Sequence, residues 1–541
     1  MTELDKSHNW RHDGRLLFLL LALVVPLRAW MVWNTEVTAR DSIGFISYAL
    51  DIEQKPWKEA LLKNHQHPGY PLSIWAMSLP VRQYLGFSST TMQLSAQLAS
   101  SLAAVLLIFP MFYLGKIFFE RRVAFWGTLL LQFMPVTGQH LSDGISEALF
   151  LLLTSLAFLF GALALRRPTI WRFLLCGVFC GMAYLTRPEG ALVVLAMLLV
   201  LGVRQLVPFW RLQWSTAFRG GLVMTLASLA VGSAYFGFTH CFTNKPSWTQ
   251  MSSMPDSSID RFASAGSGER ETMNRTADGQ GVLFASLFAA NLPREGQPLE
   301  RFGQGLLVYA SEGFQLFHYT GFVTLILGLF TRLRRLLRCP EFLLPCAFFL
   351  LHTGLIMRLA MKAGYISDRH LLTVAIWGAY FAAAGLCDVP ERLMAWFAPL
   401  LQKRTPLVTR LALLAFLATC LPRSLQPLHG GQAGNRLVGL WLAGQIKPGD
   451  VIHDDHNWSQ FYSGALFKEA KSAPPTTSQH TSYHVITRSK DVKVMEEQRR
   501  EEEKLRAAHG EIVFHWPEKA AIDQSRIVLY AVPSGPASRA P

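Results

Sequence analysis

Charged residues are scarce in this chain. Asp, Glu, Lys and Arg make up 16% of its 541 residues, whereas 51% are hydrophobic and the mean hydropathy is +0.24. Soluble globular domains carry about a quarter of their residues as charges. The shortage therefore excludes a soluble protein of this length and indicates a chain that crosses a membrane many times.

Cysteine is also scarce, and the glycine patterns that bind nucleotides are missing. The seven cysteines have no spacing typical of a zinc site, and none follows Cys420. Neither a zinc site nor a disulfide framework is predicted. Gly430, Gly431 and Gly439 lack the strand–turn–helix context of a nucleotide-binding motif, and the sequence has no internal repeat.

The hydrophobic segments predict about eleven transmembrane helices, several of them shorter than the roughly twenty residues that a straight span needs. They lie near 16–33, 92–115, 123–139, 145–165, 170–185, 190–203, 220–240, 313–330, 341–360, 370–387 and 406–422. The first segment follows Arg11 and Arg15, as in a secretory signal. Because no small-residue cleavage site follows cleanly and the chain stays hydrophobic for hundreds of residues, we predict a span there.

Basic residues occur in alternate loops. The basic loops contain Arg11 and Arg15, Lys116 to Arg122, Arg166 to Arg172, Arg204 to Arg219, 332–338, and Lys403 with Arg404. Positive charge is retained in the cytoplasm, so the N-terminus is predicted to be cytoplasmic. The outer loops are then 34–91, 138–144, 186–189, 241–312, 361–369 and the chain after about 423. The net charge of +14 is mostly a topology signal, and no basic soluble face typical of nucleic-acid binding is present.

Two of the outer segments have predicted structure. In the loop 34–91, apolar residues at helical spacing predict short helices that lie on the membrane; they are Ile43, Ile46, Ala49, Leu50, Trp57, Leu61 and Leu62. Residues 430–541 are predicted as a small extracytoplasmic α/β domain, separate from a membrane domain at 1–425. Its strands lie near 450–453, 483–487, 511–515 and 526–530, with a charged helix near 491–508. Asp454, Asp455 and His456 could form a metal site, but a solvated loop is favoured.

Polar residues collect beside the spans on the predicted outer side. Each alone is typical of snorkelling or interface anchoring, but charged groups near hydrocarbon are costly and are often kept for function. They are Arg40, Asp41, His65, His67, Asp143, Glu147, Arg187, Glu189, Asp368, Arg369 and His370. Together they predict a site on one face of the membrane.

Three of the candidates keep alternatives open. Asp143 and Glu147 are one turn apart and are predicted to share a helix face. There they could hold a divalent cation, orient an acceptor, or cap the helix N-terminus. Arg28, inside the first span, could reach a lipid phosphate or snorkel outward.

The order of these residues resembles a known family. An Asp follows the first span, His67-Pro68 lies in a long first loop, and Asp143 and Glu147 open a later span. Leu185-Thr186-Arg187-Pro188-Glu189-Gly190 and Ser367-Asp368-Arg369-His370-Leu371-Leu372 follow. Over roughly 15–385 this resembles the GT-C superfamily of membrane glycosyltransferases, of the protein mannosyltransferase and aminoarabinose transferase type (glycosyltransferase family 39).

The resemblance implies a helical membrane bundle with a lipid-sized groove. It also implies an enzyme that moves a sugar from a polyprenyl-phosphate donor to a lipid, glycan or protein acceptor on the extracytoplasmic face of an inner or plasma membrane. Asp41 would be the general base, and Arg369 would face the donor phosphate. His67 would line the cavity, and Asp143 would help to hold acceptor or metal.

The remaining candidates extend these roles. His65 and Glu147 join the acceptor or metal group, while His370, Arg187 and Arg28 join the donor-phosphate group. The sequence departs from the family at two points: His370 replaces the usual Tyr, and Arg40-Asp41 stands where many members have a second acid. No cofactor is certain, and the use of a divalent cation stays open because the second acid would be its natural ligand.

The alternatives are a transporter or flippase of lipid-linked sugars, an undecaprenyl-dependent glycan ligase or polymerase, and a non-catalytic scaffold. A transporter is expected to show broken helices or an inverted repeat. The sequence shows neither, so a glycosyltransferase is favoured.

The predicted topology can be tested by cysteine labelling. Cysteines introduced at positions 64, 260 and 480, with the native cysteines replaced, should react with an impermeant reagent added outside intact cells. A cysteine at position 335 should not react, because the basic loop 332–338 is retained in the cytoplasm. Labelling at 335 or protection at 480 would contradict the topology and the role of Asp41 with it.

Overall fold

The chain is described by a computed structural model that covers residues 10–245, 248, 298–363, 366–397, 405–447, 449–467, 480–488 and 492–534. It is mostly helical. The helices of the predicted membrane domain are α1 Trp10–Trp33, α2 Arg40–Gln54, α3 Trp57–Lys63, α4 Gly69–Leu85, α5 Ser89–Leu106, α6 Ile108–Phe118, α7 Arg121–Phe133, α8 Pro135–His140, α9 Glu147–Arg166, α10 Ile170–Thr186, α11 Ala191–Leu206, α12 Trp214–Thr239, α13 Pro298–Leu316, α14 Thr320–Leu336, α15 Leu343–Ala363, α16 Asp368–Phe397 and α17 Thr405–Ser424.

Eight helical segments among the described residues are long and apolar enough to cross a membrane, and they match eight of the eleven predicted spans. The other three differ from a straight span. Ile170–Thr186 is apolar but shorter. The predicted span 123–139 is divided between α7 and α8, because Met134 is extended and Pro135 begins a new helix.

The predicted span 313–330 is broken, and this corrects the expectation of unbroken helices. Glu300–Leu316 and Thr320–Leu336 meet at 105°, and His318 and Tyr319 between them have positive φ angles. Most of the predicted loop 241–312 lies outside the described residues, but its end is helical because α13 begins at Pro298.

The tail forms a four-stranded sheet, as predicted. Its elements are α18 Ala433–Gln445, β1 Val451–His453, α19 Trp458–Tyr462, β2 His480–Thr487, α20 Val492–Ala507, β3 Glu511–Trp516 and β4 Ile527–Ser534. The strand order is β1-β2-β4-β3; β1 and β2 are parallel and the other pairs antiparallel. Val438 and Leu442 of α18 pack on one face of the sheet, and Leu505 of α20 packs on the other.

The tail is joined by α19 to residues of the predicted outer loop 34–91. Trp458, Phe461 and Tyr462 are buried in one cluster with residues of α2, α4 and α5. The hydroxyl of Tyr462 accepts from Thr38 N (2.8 Å) and donates to Gln93 Oε1 (2.7 Å). This packing fixes the backbone that leads into α2.

Charged groups from the predicted cytoplasmic loops form ion pairs with one another. Arg332 on α14 binds Asp388 on α16 at 2.6 Å and Glu120 at 2.9 Å. Asp13 on α1 binds Arg121 at 2.7 Å and also Lys116. Arg369 and Asp388 are roughly 30 Å apart along α16, at 1.5 Å per residue, so the bundle carries one ion-pair network at each end.

Helices α14 and α16 pack with their backbones in contact. A Cβ added at Gly385 would lie 2.0 Å from Thr324 O, and one at Gly328 would lie 1.8 Å from Phe381 O. Small residues permit this close approach between membrane helices.

Gly385→Ala should therefore destabilise the bundle by about 1–3 kcal/mol, because the two helices must separate. Its midpoint of thermal unfolding in detergent should fall by several degrees. Gly354→Ala on α15 is the matched control, since a Cβ there would meet nothing within 4 Å. Equal midpoints for the two variants would contradict the packing.

Candidate functional site

Asp41 lies in the first turn of α2 and binds Arg369 from the start of α16. Arg369 Nη1 donates to Asp41 Oδ2. The N-cap of α2 is Ala39, and no side chain caps that end, so Asp41 does not act as the N-cap. The two side chains remain partly accessible, with Asp41 33% and Arg369 29% exposed.

Glu147 holds two arginines in place at the start of α9. Its Oε1 accepts from Arg369 Nε at 2.7 Å and from Arg187 Nη1 at 2.7 Å. Arg187 also contacts Glu189 at 3.5 Å. The Glu147 side chain is 2% exposed, so this carboxylate lies beneath the accessible Asp41–Arg369 pair.

Asp143 does not share a helix face with Glu147, and that prediction is wrong. Helix α9 begins only at Glu147, and Gly144, with φ +70°, turns the chain between the two acids. Asp143 Oδ1 lies 2.7 Å from His429 Nε2. Burial opposes the charge of His429, but Asp143 outweighs it and raises the pKa of His429 above its ordinary value.

The hydrogen bonds that the structure gives Arg28 go to groups other than Asp41 and Arg369. Arg28 is 2% exposed. It donates to the carbonyls of Gly138 and Gln132 and, at 2.8 Å, to Ser142 Oγ. Arg28 thereby ties α1 to the chain between α7 and α9, and neither predicted alternative, snorkelling or phosphate contact, describes this position.

The two histidines of the first loop differ in burial. His65 is exposed. His67 is 1% exposed, and its Nε2 lies 3.0 Å from Thr243 Oγ1. It therefore contacts the chain that follows α12 rather than Asp41.

The start of α16 is fixed by its own side chains. His370 Nδ1 accepts from Ser367 N at 3.1 Å. Asp368 accepts from Arg369 N at 2.9 Å and lies 3.4 Å from His140. These contacts set the direction in which Arg369 leaves the helix.

Two adjoining cavities begin beside this cluster. Both are lined by Arg187, Glu189, Ile356 and His370. The first is also lined by Glu147, Phe150, Leu151, His352, Arg369, Leu372 and Thr373; the second by Lys245, Trp248, Leu355 and Leu359. Within the described residues, Arg187 Nε, Glu189 Oε2 and His352 Nδ1 lack hydrogen-bond partners, which suits a polar ligand.

Sequence analysis missed Lys245 and His352. Lys245 follows a predicted span on the outer side, the same signal that identified the other candidates. His352 lies inside a span, where an ionisable residue is itself a functional signal.

The residues present do not fit a divalent cation. Asp143 is engaged by His429, and Glu147 by two arginines. In the part of the chain that the structure describes, no group of three His, Cys, Asp or Glu is placed to hold a metal ion. The other candidate cluster also has a structural role: Asp454 accepts hydrogen bonds from the backbone of His456 and Ser459.

The dolichyl-phosphate-mannose-protein mannosyltransferase family matches residues 66–232, which include Glu147 and Arg187. A comparison with curated proteins finds no match.

Solved structures of two other proteins show a similar fold. The apo form of ArnT from Cupriavidus metallidurans gives a TM-score of 0.55 at 11% identity, over 97% of this chain and 100% of ArnT. The Archaeoglobus fulgidus oligosaccharyltransferase, tethered to an acceptor peptide with the NVT sequon, gives 0.53 at 13% identity, over 85% of this chain. The chain spans 63% of that archaeal protein.

The mostly helical bundle, the small C-terminal sheet and these matches confirm the resemblance found in the sequence. The chain is a polytopic membrane protein with a GT-C-type fold, similar to the folds of ArnT and of the archaeal oligosaccharyltransferase.

Proposed function

We propose that the protein transfers a sugar from a polyprenyl-phosphate donor to a lipid, glycan or protein acceptor at the extracytoplasmic face of the membrane. The observation that carries the proposal is the accessible Asp41–Arg369 pair, which lies over a buried carboxylate and beside a cavity that enters the bundle. The matching family is described by a dolichyl-phosphate-mannose donor, which supports a donor of this class.

Arg369 is suited to the leaving group. Its planar guanidinium can donate two parallel hydrogen bonds to a phosphate and neutralise the charge that grows as the sugar departs. Glu147 binds Arg369 from below, through Nε and Nη2, and keeps the fork oriented. A donor phosphate that binds Arg369 would replace the carboxylate of Asp41.

Asp41 is suited to the general base. The acceptor's oxygen or nitrogen attacks the anomeric carbon of the sugar, the bond from that carbon to the phosphate oxygen breaks, and polyprenyl phosphate leaves. The acceptor's proton passes to the Asp41 carboxylate. In-line substitution requires the acid and the arginine on opposite sides of the sugar carbon, so the sugar would have to enter between Asp41 and Arg369, which contact each other in the structure without substrate.

One observation favours a second candidate, a transporter of lipid-linked sugars. The break between α13 and α14 is of the kind found in transporters. Asp41, Glu147, Arg187 and Arg369 lie at the ends of other helices, however, and a transporter needs no base at Asp41. The two functions therefore differ in what Asp41→Asn does.

Arg369→Lys should cause a large loss of transfer with normal insertion, because lysine keeps the charge but loses the planar fork. Transfer would be measured in membranes as release of sugar from the polyprenyl-phosphate donor. Arg82→Lys is the control. Arg82 pairs with Glu53 at 2.9 Å, and neither residue lines the two cavities. If Arg369→Ala keeps most of the activity, Arg369 is an interface anchor and Arg187 becomes the candidate.

Asp41→Asn should abolish detectable transfer while the protein still inserts and binds donor. Asparagine keeps the shape but takes no proton, and a general base contributes about a hundred- to ten-thousandfold, or roughly 3–5 kcal/mol. Lipid extracts of cells with this variant should accumulate the polyprenyl-phosphate sugar. Asp51→Asn on the same helix, where Asp51 pairs with Lys55 and Lys63, should not. Substantial transfer by Asp41→Asn would contradict the role of Asp41 as general base.

A further inference from the structure

Three aromatic rings form a box around the chain that follows α12. The ring of His67 stacks on Tyr235, with centroids 4.4 Å apart, and meets the edge of Tyr184 at 5.1 Å. The box joins the first outer loop to α10 and α12. Burial, with the charge of Lys245 nearby, lowers the pKa of His67 to about 3, so its ring is neutral at physiological pH.

Hydrogen bonds from this box hold residues 241–245. Tyr184 donates from its hydroxyl to Phe242 O at 2.6 Å, and Asn244 N donates to the Tyr235 hydroxyl at 3.2 Å. The hydroxyl of Thr243 is shared, because it lies 3.0 Å from His67 Nε2 and accepts from Lys245 N at 3.2 Å. Thr243 therefore connects His67 directly to the backbone of Lys245.

Lys245 reaches the second cavity from this position. It lines that cavity together with Arg187, Glu189 and His370. Burial lowers the pKa of Lys245 to about 8, partly opposed by Glu189. Among the residues that line the two cavities, Glu147 and Glu189 are the carboxylates, and Arg187, Arg369 and Lys245 are the cations.

We propose that Lys245 binds the phosphate of the polyprenyl-phosphate donor, and that His67 is a positioning residue, which holds Lys245 at the second cavity through Thr243. A lysine ammonium binds phosphate as a compact charge, so its placement depends on the backbone that carries it. The inference rests on the proposed function and adds the phosphate-binding lysine and its support. It gives His67 a role at a distance from the sugar.

The test measures binding of two probes, undecaprenyl phosphate and undecaprenol, to the full chain in detergent. The two lipids differ only in the phosphate, so a phosphate contact affects the first alone. Lys245→Gln should weaken the binding of undecaprenyl phosphate about ten- to a hundredfold, which is the range for a hydrogen bond to a charged group. The binding of undecaprenol should not change. Lys63→Gln is the matched control, because Lys63 pairs with Asp51 at 3.0 Å in the first loop.

The link through Thr243 is tested by a double-mutant cycle. His67→Phe keeps a ring against Tyr235 but loses the contact with Thr243, and Thr243→Val loses the hydroxyl. Each substitution should weaken the binding of undecaprenyl phosphate. The double variant should bind no more weakly than the worse single variant, because both substitutions remove the same connection. His65→Phe, two residues away and exposed, should bind like the unaltered protein. Thermal unfolding confirms that each variant is folded.

A pH profile separates a charge contact from a packing effect. Lys245 is faced by Glu189, Arg187, Glu147, Arg369, His67 and His370. As the pH rises through about 8 Lys245 loses its proton, so affinity for undecaprenyl phosphate should fall between about pH 8 and 9. Lys245→Arg keeps its charge there and should remove this fall.

The proposal is overturned if Lys245→Gln weakens the binding of both lipids equally or of neither. It is also overturned if Lys245→Arg leaves the pH profile of binding unchanged. Additive effects of His67→Phe and Thr243→Val would overturn the link. Failure of the proposed function looks different, because Asp41→Asn would then keep its turnover whatever Lys245 binds. A phosphate on the acceptor instead of the donor would show as an altered KM for acceptor with undecaprenyl phosphate binding unchanged, which also overturns the assignment.

Discussion

The carboxylate of Glu147, 2% exposed, accepts hydrogen bonds from both Arg187 and Arg369. An isolated carboxylate at this depth would be strongly unfavourable, and two guanidinium groups offset its desolvation. The three residues come from α9, the turn after α10 and the start of α16. Their pairing therefore fixes the relative positions of three helix ends, and Arg369 extends the network to Asp41 on α2.

Accessibility decreases from Asp41 to Glu147, and this gradient separates the roles at the site. The buried carboxylate is saturated by arginines and serves to orient them. Asp41 is 33% exposed and shares Arg369 with Glu147, so an incoming anion can displace it without exposing a buried charge. Lys245, which in our proposal is held by the aromatic box around His67, is a third cation among the residues that line the two cavities. The proposed sugar transfer from an anionic carrier requires both properties: arginines that a buried carboxylate orients, and an accessible face that the substrate can reach.

Much of the fold could be predicted because hydrophobic length and charge act locally. Eight of the eleven predicted spans, the helices of the first loop and the four strands of the tail agree with the structure. The errors occur where a local backbone preference interrupts an apolar run. Pro135 divides one predicted span, positive φ angles at His318 and Tyr319 break another, and Gly144 turns Asp143 away from Glu147. A hydropathy profile averages over such single residues and does not detect them.

The sequence by itself determined that the chain is a membrane protein, because its apolar segments are long enough to span a bilayer. The alternating basic loops predict which polar residues share one side of the membrane. Only the tertiary structure decided the pairings. Asp41 and Arg369 are 328 positions apart, and no local pattern distinguishes Arg369, which meets two acids, from Arg28, which is spent on backbone carbonyls. Lys245 depends on the same long-range packing, since its place at the cavity follows from a histidine 178 residues earlier. Packing brings these helix ends together, and an unpaired charge buried there would be unfavourable. Each charged side chain therefore pairs with the partner that packing places beside it, out of the many that the sequence allows.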